Sequence, residues 1–240
     1  QGGEAAELLT EALEKYPAKD WLRRYLAWRS AELDDEFQPT VEELLAAAPE
    51  PADYPKSDAV MLFDYLRMDV NADYTYATTL RQVVKILAPT GLERWGEVVV
   101  PDSGDLELIH ARTYTPDGRT LEATTINTTD GGRAVSMEGV RVGSIIDVCY
   151  RQHSEYRIIT ELFDHWTSRF YFREYGDPLV LSRFVVSAPD VLEVEYDERG
   201  FNGDSYRVRL PDGLSSAGDA PYQLEPRTAY VHEVRDAPAI

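Results

Sequence analysis

The sequence predicts a mainly β protein, an antiparallel β-sandwich preceded by a small α-helical hairpin or repeat segment. From Glu4 to Ala48 the apolar residues recur with helical spacing, and no strand-like run interrupts them. Beyond that region, short β-branched and aromatic runs alternate with Asp, Asn and Gly turn signals. We therefore divide the chain into a helical segment over 1–50, a linker over 51–58 and a sandwich domain over 59–240.

The N-terminal segment predicts three helices. "EAAELLTEALEKYP" and "DWLRRYLAWRSAELDD" each place apolar residues along one face, and a third, short helix begins at Thr40 as N-cap and closes at Pro49. "EALEKYP" and "ELLAAAP" lie about one tetratricopeptide period apart, which indicates the end of a repeat array, with a plain helical hairpin as the alternative. The following "APEPADYPKSD" contains three prolines and is typical of a linker.

Period-two alternation begins in "DYTYATTLRQVVKIL", which predicts a half-buried strand that is long enough for a bulge. One side of this strand carries Tyr74, Tyr76, Thr78, Leu80, Val84 and Ile86, and the other side carries Thr75, Thr79, Arg81 and Lys85. Further strands are predicted for "EVVVP", "LELIHARTY", "SIIDVCYRQ", "LVLSRFVVSAP", "VLEVEY" and "SYRVRL". Turns are predicted at "TPDGR", "TDGG", "ERGFNGD" and "LPDG".

Composition limits the possible partners. The formal net charge of −19 argues against binding to nucleic acid, because phosphates are repelled over the average surface. No apolar run approaches the roughly 20 residues of a membrane span, so we expect no membrane insertion. The single cysteine excludes an intramolecular disulfide, and the four histidines lack metal-site spacing. We expect no metal and no cofactor; the acidic "PDSGDLE" and "DERGFNGD" could bind calcium only weakly.

Cys149 is the candidate nucleophile of a thiol hydrolase. On a strand, Cys149 and His153 lie about 13 Å apart at roughly 3.3 Å per residue, too far to share a proton. His110, His165 and His232 remain possible partners, since catalytic groups assemble in space. A lone cysteine more often behaves as a small buried hydrophobe, which is the interpretation we favour.

A dense aromatic and basic stretch, "LFDHWTSRFYFREYGDP", provides the candidate binding residues. Strand alternation puts Trp166, Phe170 and Phe172 on one side and Arg169, Tyr171 and Arg173 on the other. A core strand with an outer cation–π lattice explains this pattern. The alternative is an aromatic platform for a sugar or a peptide, with Trp166, Arg169, Tyr171 and Arg173 as its residues.

The order of several segments resembles a known family. "LRQVVKILAPTGLERWGEVVVP", "ARTYTPDGRTLEA", "VRVGSIIDVCYR", "FREYGDPLVLSRFVVSAP" and "TAYVHEVRDAPAI" are similar to successive parts of the bacterial domain of unknown function 3857. The resemblance spans about 59–240, and His232 stands where the family tends to have Trp. It implies a β-sandwich that precedes a transglutaminase-like, papain-fold domain, with the catalytic residues of that neighbour after Ile240, in an extracytoplasmic or envelope setting.

We therefore expect a non-catalytic accessory module, cut from a longer protein, whose partner is the downstream domain of the same chain. The alternatives are a carbohydrate- or peptide-binding module around Trp166, with a protein, peptide or glycan as partner, and, last, a thiol hydrolase using Cys149.

Overall fold

The computed structural model describes residues 35–72, 76–101, 106–123, 125–129, 132–154, 170–172, 176–196, 199, 201–215 and 223–238. The two helices predicted before residue 35 lie outside these ranges. The helical elements are α1 (Val41–Ala46), a 3₁₀ helix (Pro51–Asp53) and α2 (Pro89–Trp95). The strands are β1 (Ala59–Val70), β2 (Tyr76–Ile86), β3 (Glu97–Val100), β4 (Leu106–Tyr114), β5 (Thr120–Glu122), β6 (Thr125–Thr129), β7 (Gly132–Ser136), β8 (Ile145–Ser154), β9 (Leu179–Pro189), β10 (Asp204–Ser215) and β11 (Gln223–Ala237).

The described chain is mainly β, as predicted, and contains a large mixed sheet. Its eight strands run in the order β10-β11-β9-β1-β2-β8-β4-β5, and a separate three-stranded sheet has the order β3-β7-β6. Strands β1 and β9 pair in parallel, whereas the other pairs are antiparallel. The purely antiparallel arrangement expected from the sequence was therefore wrong. Strands β1 and β8 are both antiparallel to β2, and β9, the next strand after β8, runs beside β1 in the same direction.

Strand β1 lies in the middle of the large sheet and was missed by the sequence analysis. Its sequence "AVMLFDYLRMDV" is an almost continuous apolar run, which is typical of a strand covered on both faces. The β1–β2 register shifts between Met61 and Phe63, so β1 contains one extra residue there. The bulge expected in the β2 region thus belongs to the partner strand.

Strand β2 was expected to be half-buried, but its polar side is buried. Thr79, Arg81 and Lys85 are all buried, while the alternating positions from Tyr76 to Gln82 are only half-buried. The expectation failed because an additional piece of chain, residues 35–50, covers the Arg81 side of the sheet. We call residues 35–50 the N-terminal strap.

The predicted third helix is confirmed as α1 within the strap. Thr40 is its N-cap, and Thr40 and Glu43 form a capping box in which each side chain accepts a hydrogen bond from the other's backbone N–H. Phe37 and Leu44 of the strap lie in a hydrophobic cluster with β1, β2 and β9 residues. The strap is therefore part of the core and not a separate surface element.

A second hydrophobic cluster joins residues of both sheets on the opposite face of the large sheet. It contains Met61, Ile86 and Val148 from the large sheet and Val98 and Val135 from the small one.

Among the described residues, no helix is both long enough and apolar enough to cross a membrane.

Turn predictions were mixed. "TPDGR" forms the β4–β5 turn, where Gly118 has φ 82° and donates its N–H to the Thr115 carbonyl. "LPDG" does not end a strand, since β10 continues through it with a register shift between Leu210 and Gly213. "VLEVEY" at 191–196 forms no strand, and Val191 is exposed. In both cases the local residue preference did not determine where the strand begins or ends.

Two glycines with positive φ should differ in their tolerance of alanine. A Cβ at Gly118 meets nothing within 4 Å, whereas at Gly132 (φ 145°) it would lie 2.3 Å from the Val100 carbonyl oxygen. Gly118→Ala should cost about 1–2 kcal/mol from backbone strain alone. Gly132→Ala adds overpacking against β3 and should cost about 3 kcal/mol or more. Urea unfolding measures both, and equal losses would contradict the close approach at Gly132.

Candidate functional site

Adjacent strands of the large sheet bring an arginine, an aspartate, a histidine and the only cysteine together on one face. In the strand register, Cys149 of β8 lies between Arg81 of β2 and His110 of β4. Asp147 is two residues before Cys149 and therefore lies on the same side of β8. We call these four residues the Arg81 cluster. Their arrangement determines whether the Cys149 thiol can act as a nucleophile.

A bulge in β4 puts His110 into the cluster. The β4–β8 register shifts between Leu108 and His110, so that Ile109 is the extra residue. An unbulged strand would turn His110 to the opposite face, because side chains alternate along a strand. The bulge thereby re-aims the imidazole towards Asp147, as bulges commonly do.

The centre of the cluster is a buried, two-pronged ion pair. Arg81 Nε donates to Asp147 Oδ1 at 2.9 Å and Arg81 Nη2 donates to Oδ2 at 2.8 Å, while the two residues are 5% and 1% exposed. Arg81 Nη1 donates to the strap, at 3.2 Å to Gln38 Oε1 and 3.1 Å to the Pro39 carbonyl. This geometry satisfies a guanidinium far from water, where an unpaired charge would be costly.

The Asp147 carboxylate also accepts a hydrogen bond from His110. Its Nε2 lies 2.9 Å from Asp147 Oδ1, so Nε2 carries the hydrogen and the carboxylate accepts it. Burial alone raises the pKa of Asp147, but hydrogen bonds from His110 and Arg81 outweigh it and hold the pKa below its usual range. Burial likewise lowers the pKa of Arg81, and the contact with Asp147 reverses this and raises it. The cluster is therefore charged and stable in its ion-paired form.

Cys149 is not activated by these neighbours. The residue is 3% exposed, and burial raises the pKa of its thiol to about 12. At neutral pH the side chain is therefore a thiol and not the thiolate that a nucleophile requires. The thiol-hydrolase alternative is not favoured, and the predicted strand around Cys149 is confirmed as β8.

Beside this cluster lies a second group of charges, half-buried, that the sequence analysis did not identify. Arg67 Nη1 donates to Asp35 Oδ1 of the strap at 3.1 Å and Arg67 Nε donates to Asp69 Oδ1 at 2.9 Å. The hydroxyl of Tyr65 donates to the other oxygen of Asp35. The sequence contained one signal for this group. Arg67 and Asp69 are two residues apart on β1, so their side chains lie on the same face of the strand.

The aromatic stretch is only partly described. Trp166, Arg169 and Arg173 lie outside the described residues, and 170–172 form no strand, contrary to expectation. Tyr171 is 54% exposed, whereas the Phe170 ring stacks on Phe184 with centroids 5.0 Å apart. Phe172 likewise contacts Phe201, with centroids 5.1 Å apart, so Phe170 and Phe172 pack by ring contacts instead of strand pairing.

The described residues contain no group of three or more His, Cys, Asp and Glu side chains that could hold a metal ion. Parts of "PDSGDLE" and "DERGFNGD" lie outside the described ranges. His232 lies on β11 as register partner of Phe184, and its Nδ1 is 2.9 Å from Ser205 Oγ.

The fold and the Arg81 cluster together define a mainly β domain with a buried, ion-paired polar layer. A family model described as a domain of unknown function with a solved structure, DUF3857, matches residues 72–219. The chain belongs to this family, which confirms the resemblance drawn from the motifs. The tetratricopeptide-like segment has no comparable support.

No curated protein matches the sequence. Among solved structures, a presumed protease from Parabacteroides distasonis is similar with a TM-score of 0.54 at 12% identity, over 76% of this chain and 36% of that chain. An M1 zinc metallopeptidase from Deinococcus radiodurans has a TM-score of 0.38 at 11% identity, over 76% of this chain and 40% of that one. Yeast LTA4 hydrolase with bestatin has a TM-score of 0.31 at 12% identity, over 85% and 32%. The first likeness shows a shared fold, and this chain spans about a third of the length of that protein.

The buried ion pair should contribute far more to stability than an exposed one. Asp147→Asn leaves the Arg81 guanidinium uncompensated and should lower the free energy of unfolding by about 3–5 kcal/mol. Glu122→Gln, which breaks the exposed pair with Arg112, should cost at most about 1 kcal/mol. Urea unfolding at pH 7 measures both, and similar losses would contradict the structural role of Asp147.

The Asp147→Asn variant also tests how the free energy of unfolding depends on pH. Because the pKa of Asp147 in the folded state lies below its ordinary 3.8, its contribution is present above that pH and disappears as the pH falls further. The stability difference between the wild type and Asp147→Asn should therefore shrink as the pH falls below about 4. A difference that stays unchanged between about pH 5 and about pH 3 would contradict the lowered pKa of Asp147.

Cys149 should resist alkylation until the protein unfolds. With a thiol pKa of about 12, iodoacetamide at pH 8 should react more than about a hundredfold slower with the folded protein than in 8 M urea. The matched control is Thr120→Cys in a Cys149→Ala background, because Thr120 is exposed at the sheet edge. Mass spectrometry over time measures both rates; fast labelling of Cys149 in the folded protein would contradict its burial.

Proposed function

We propose that this chain is a non-catalytic accessory module of a longer protein, in which it packs against and assists a following transglutaminase-like, papain-fold domain. The observation that supports this most is the state of Cys149, His110 and Asp147. Cysteine, histidine and aspartate are the residue types of a hydrolytic triad. Here, however, Asp147 forms an ion pair with Arg81, and the thiol of Cys149 is buried.

In this proposal the two sheets form a β-sandwich over residues 59–240, with the cluster shared by Met61, Val98 and Val135 as its interior. Membership of DUF3857 supports the proposal, as does the partial coverage of the structurally similar presumed protease, of which this fold occupies about a third. A module of this kind raises the activity of its neighbour by shaping its cleft or holding the distal part of a substrate.

The exposed margins of the sheets are the proposed contact surface for the neighbour. Strand β10 is the outer strand of the large sheet and carries the exposed Tyr206. Strand β3 is an outer strand of the small sheet and carries the exposed Val99. Apolar side chains on outer strands provide contact area next to unpaired backbone groups.

The test compares amide and ester hydrolysis, and transfer to an added amine, by three proteins: this chain, the longer protein that continues beyond Ile240, and that protein without residues 59–240. We expect turnover only with the extension, and weaker turnover once the module is deleted while circular dichroism shows that the extension stays folded. Turnover by the 240-residue chain that Cys149→Ala removes would overturn the proposal.

A further inference from the structure

Basic side chains of the large sheet hold the N-terminal strap by its main chain. Lys85 Nζ donates to the Pro49 carbonyl at 2.7 Å, and Arg81 Nη1 donates to the Pro39 carbonyl at 3.1 Å. Arg183 Nη1 donates to the Phe37 carbonyl. These three cations come from β2 and β9, and their carbonyl acceptors span most of the strap. Main-chain recognition by fixed donors is how proteins bind an extended peptide.

Side chains of the strap supply the selectivity that main-chain contacts lack. Phe37 and Leu44 are 4% and 7% exposed and lie in one cluster with Phe63, Val83 and Val185 of the sheet. The guanidinium of Arg67 also lies 5.9 Å from the centroid of the Phe37 ring. An aromatic and a leucine seven residues apart thus anchor the strap at two points.

Charge complementarity acts in the same direction. The strap sequence "DEFQPTVEELLAAAPE" has five acidic residues and no basic one. Two ion pairs join the sheet to these acids, Arg67 Nη1 with Asp35 Oδ1 at 3.1 Å and Lys85 Nζ with Glu50 Oε1 at 3.6 Å. Arg81 and Arg183 are also paired with the sheet carboxylates Asp147 and Glu233. Attraction between oppositely charged surfaces strengthens association and makes it sensitive to salt.

We propose that the face of the sheet that carries Arg67, Arg81, Lys85 and Arg183 is a peptide-binding surface and that the strap is its peptide ligand, bound in cis. The surface fits an acidic segment with an aspartate, an aromatic residue two positions later, a proline and a short amphipathic helix. Binding then does not depend on the covalent connection through 51–58, and a separate peptide of the same chemistry can exchange with the strap. This inference is independent of the accessory role.

The experiment cuts the connection in the intact chain. A protease recognition sequence is inserted between Pro55 and Lys56, which are both exposed, and the folded protein is cleaved. We expect the N-terminal piece to stay bound through gel filtration. A fluorescent synthetic peptide of residues 35–50, added in excess, should replace it, with a dissociation constant that rises with salt concentration. Fluorescence anisotropy measures this binding.

Matched variants separate recognition from general adhesion. Arg183→Gln in the sheet, or Phe37→Ala in the peptide, should weaken binding about tenfold or more, because each removes a buried or charge-assisted contact. Arg209→Gln should leave binding unchanged, since that arginine is exposed on β10 and pairs with Asp190. Failure of the peptide to bind the cleaved protein, or equal binding by all variants, would overturn the proposal. Unfolding on cleavage that the peptide does not reverse would do the same.

Discussion

The structure depends on the burial of one guanidinium. Arg81 is in the middle of the large sheet, and its N–H groups are divided between Asp147 of β8 and the strap. A charged group so far from water is tolerated only with its partners in good geometry, so the β2–β8 register and the position of the strap are fixed together. The neighbouring Arg67 and Arg183 repeat the pattern, each joining a sheet carboxylate to the strap.

This constraint explains why Asp147 and His110 do not activate the Cys149 thiol. A catalytic aspartate orients a histidine that in turn contacts a nucleophile. In this protein the aspartate is neutralised by an arginine, and the adjacent thiol is kept protonated by burial. The similarity to the presumed protease from Parabacteroides distasonis, at 12% identity, is therefore one of fold, and function has to be argued from the residues.

The sequence predicted the elements whose alternation is regular and missed those that depend on distant chain. β4 and β9 have the limits of the quoted segments "LELIHARTY" and "LVLSRFVVSAP". β1 was missed because a strand covered on both faces lacks alternation. The burial of Arg81 could not be predicted, because alternation shows which residues share a face but not that residues 35–50 will cover that face. The contact between His110 and Asp147 depends on the bulge at Ile109, which no local sequence pattern predicts. The family match over 72–219 likewise leaves β1 and β11 outside, although both are interior strands of the large sheet.

The most direct test of this account is side-chain NMR of Arg81 at neutral pH. The account predicts that its Nε–H resonance is resolved and exchanges with solvent at least about a hundredfold more slowly than that of exposed Arg119, and that this protection is lost in Asp147→Asn. Exchange of Arg81 at the rate of Arg119 would show that the guanidinium is in water, and would contradict the ion pair on which the strap and the sheet depend.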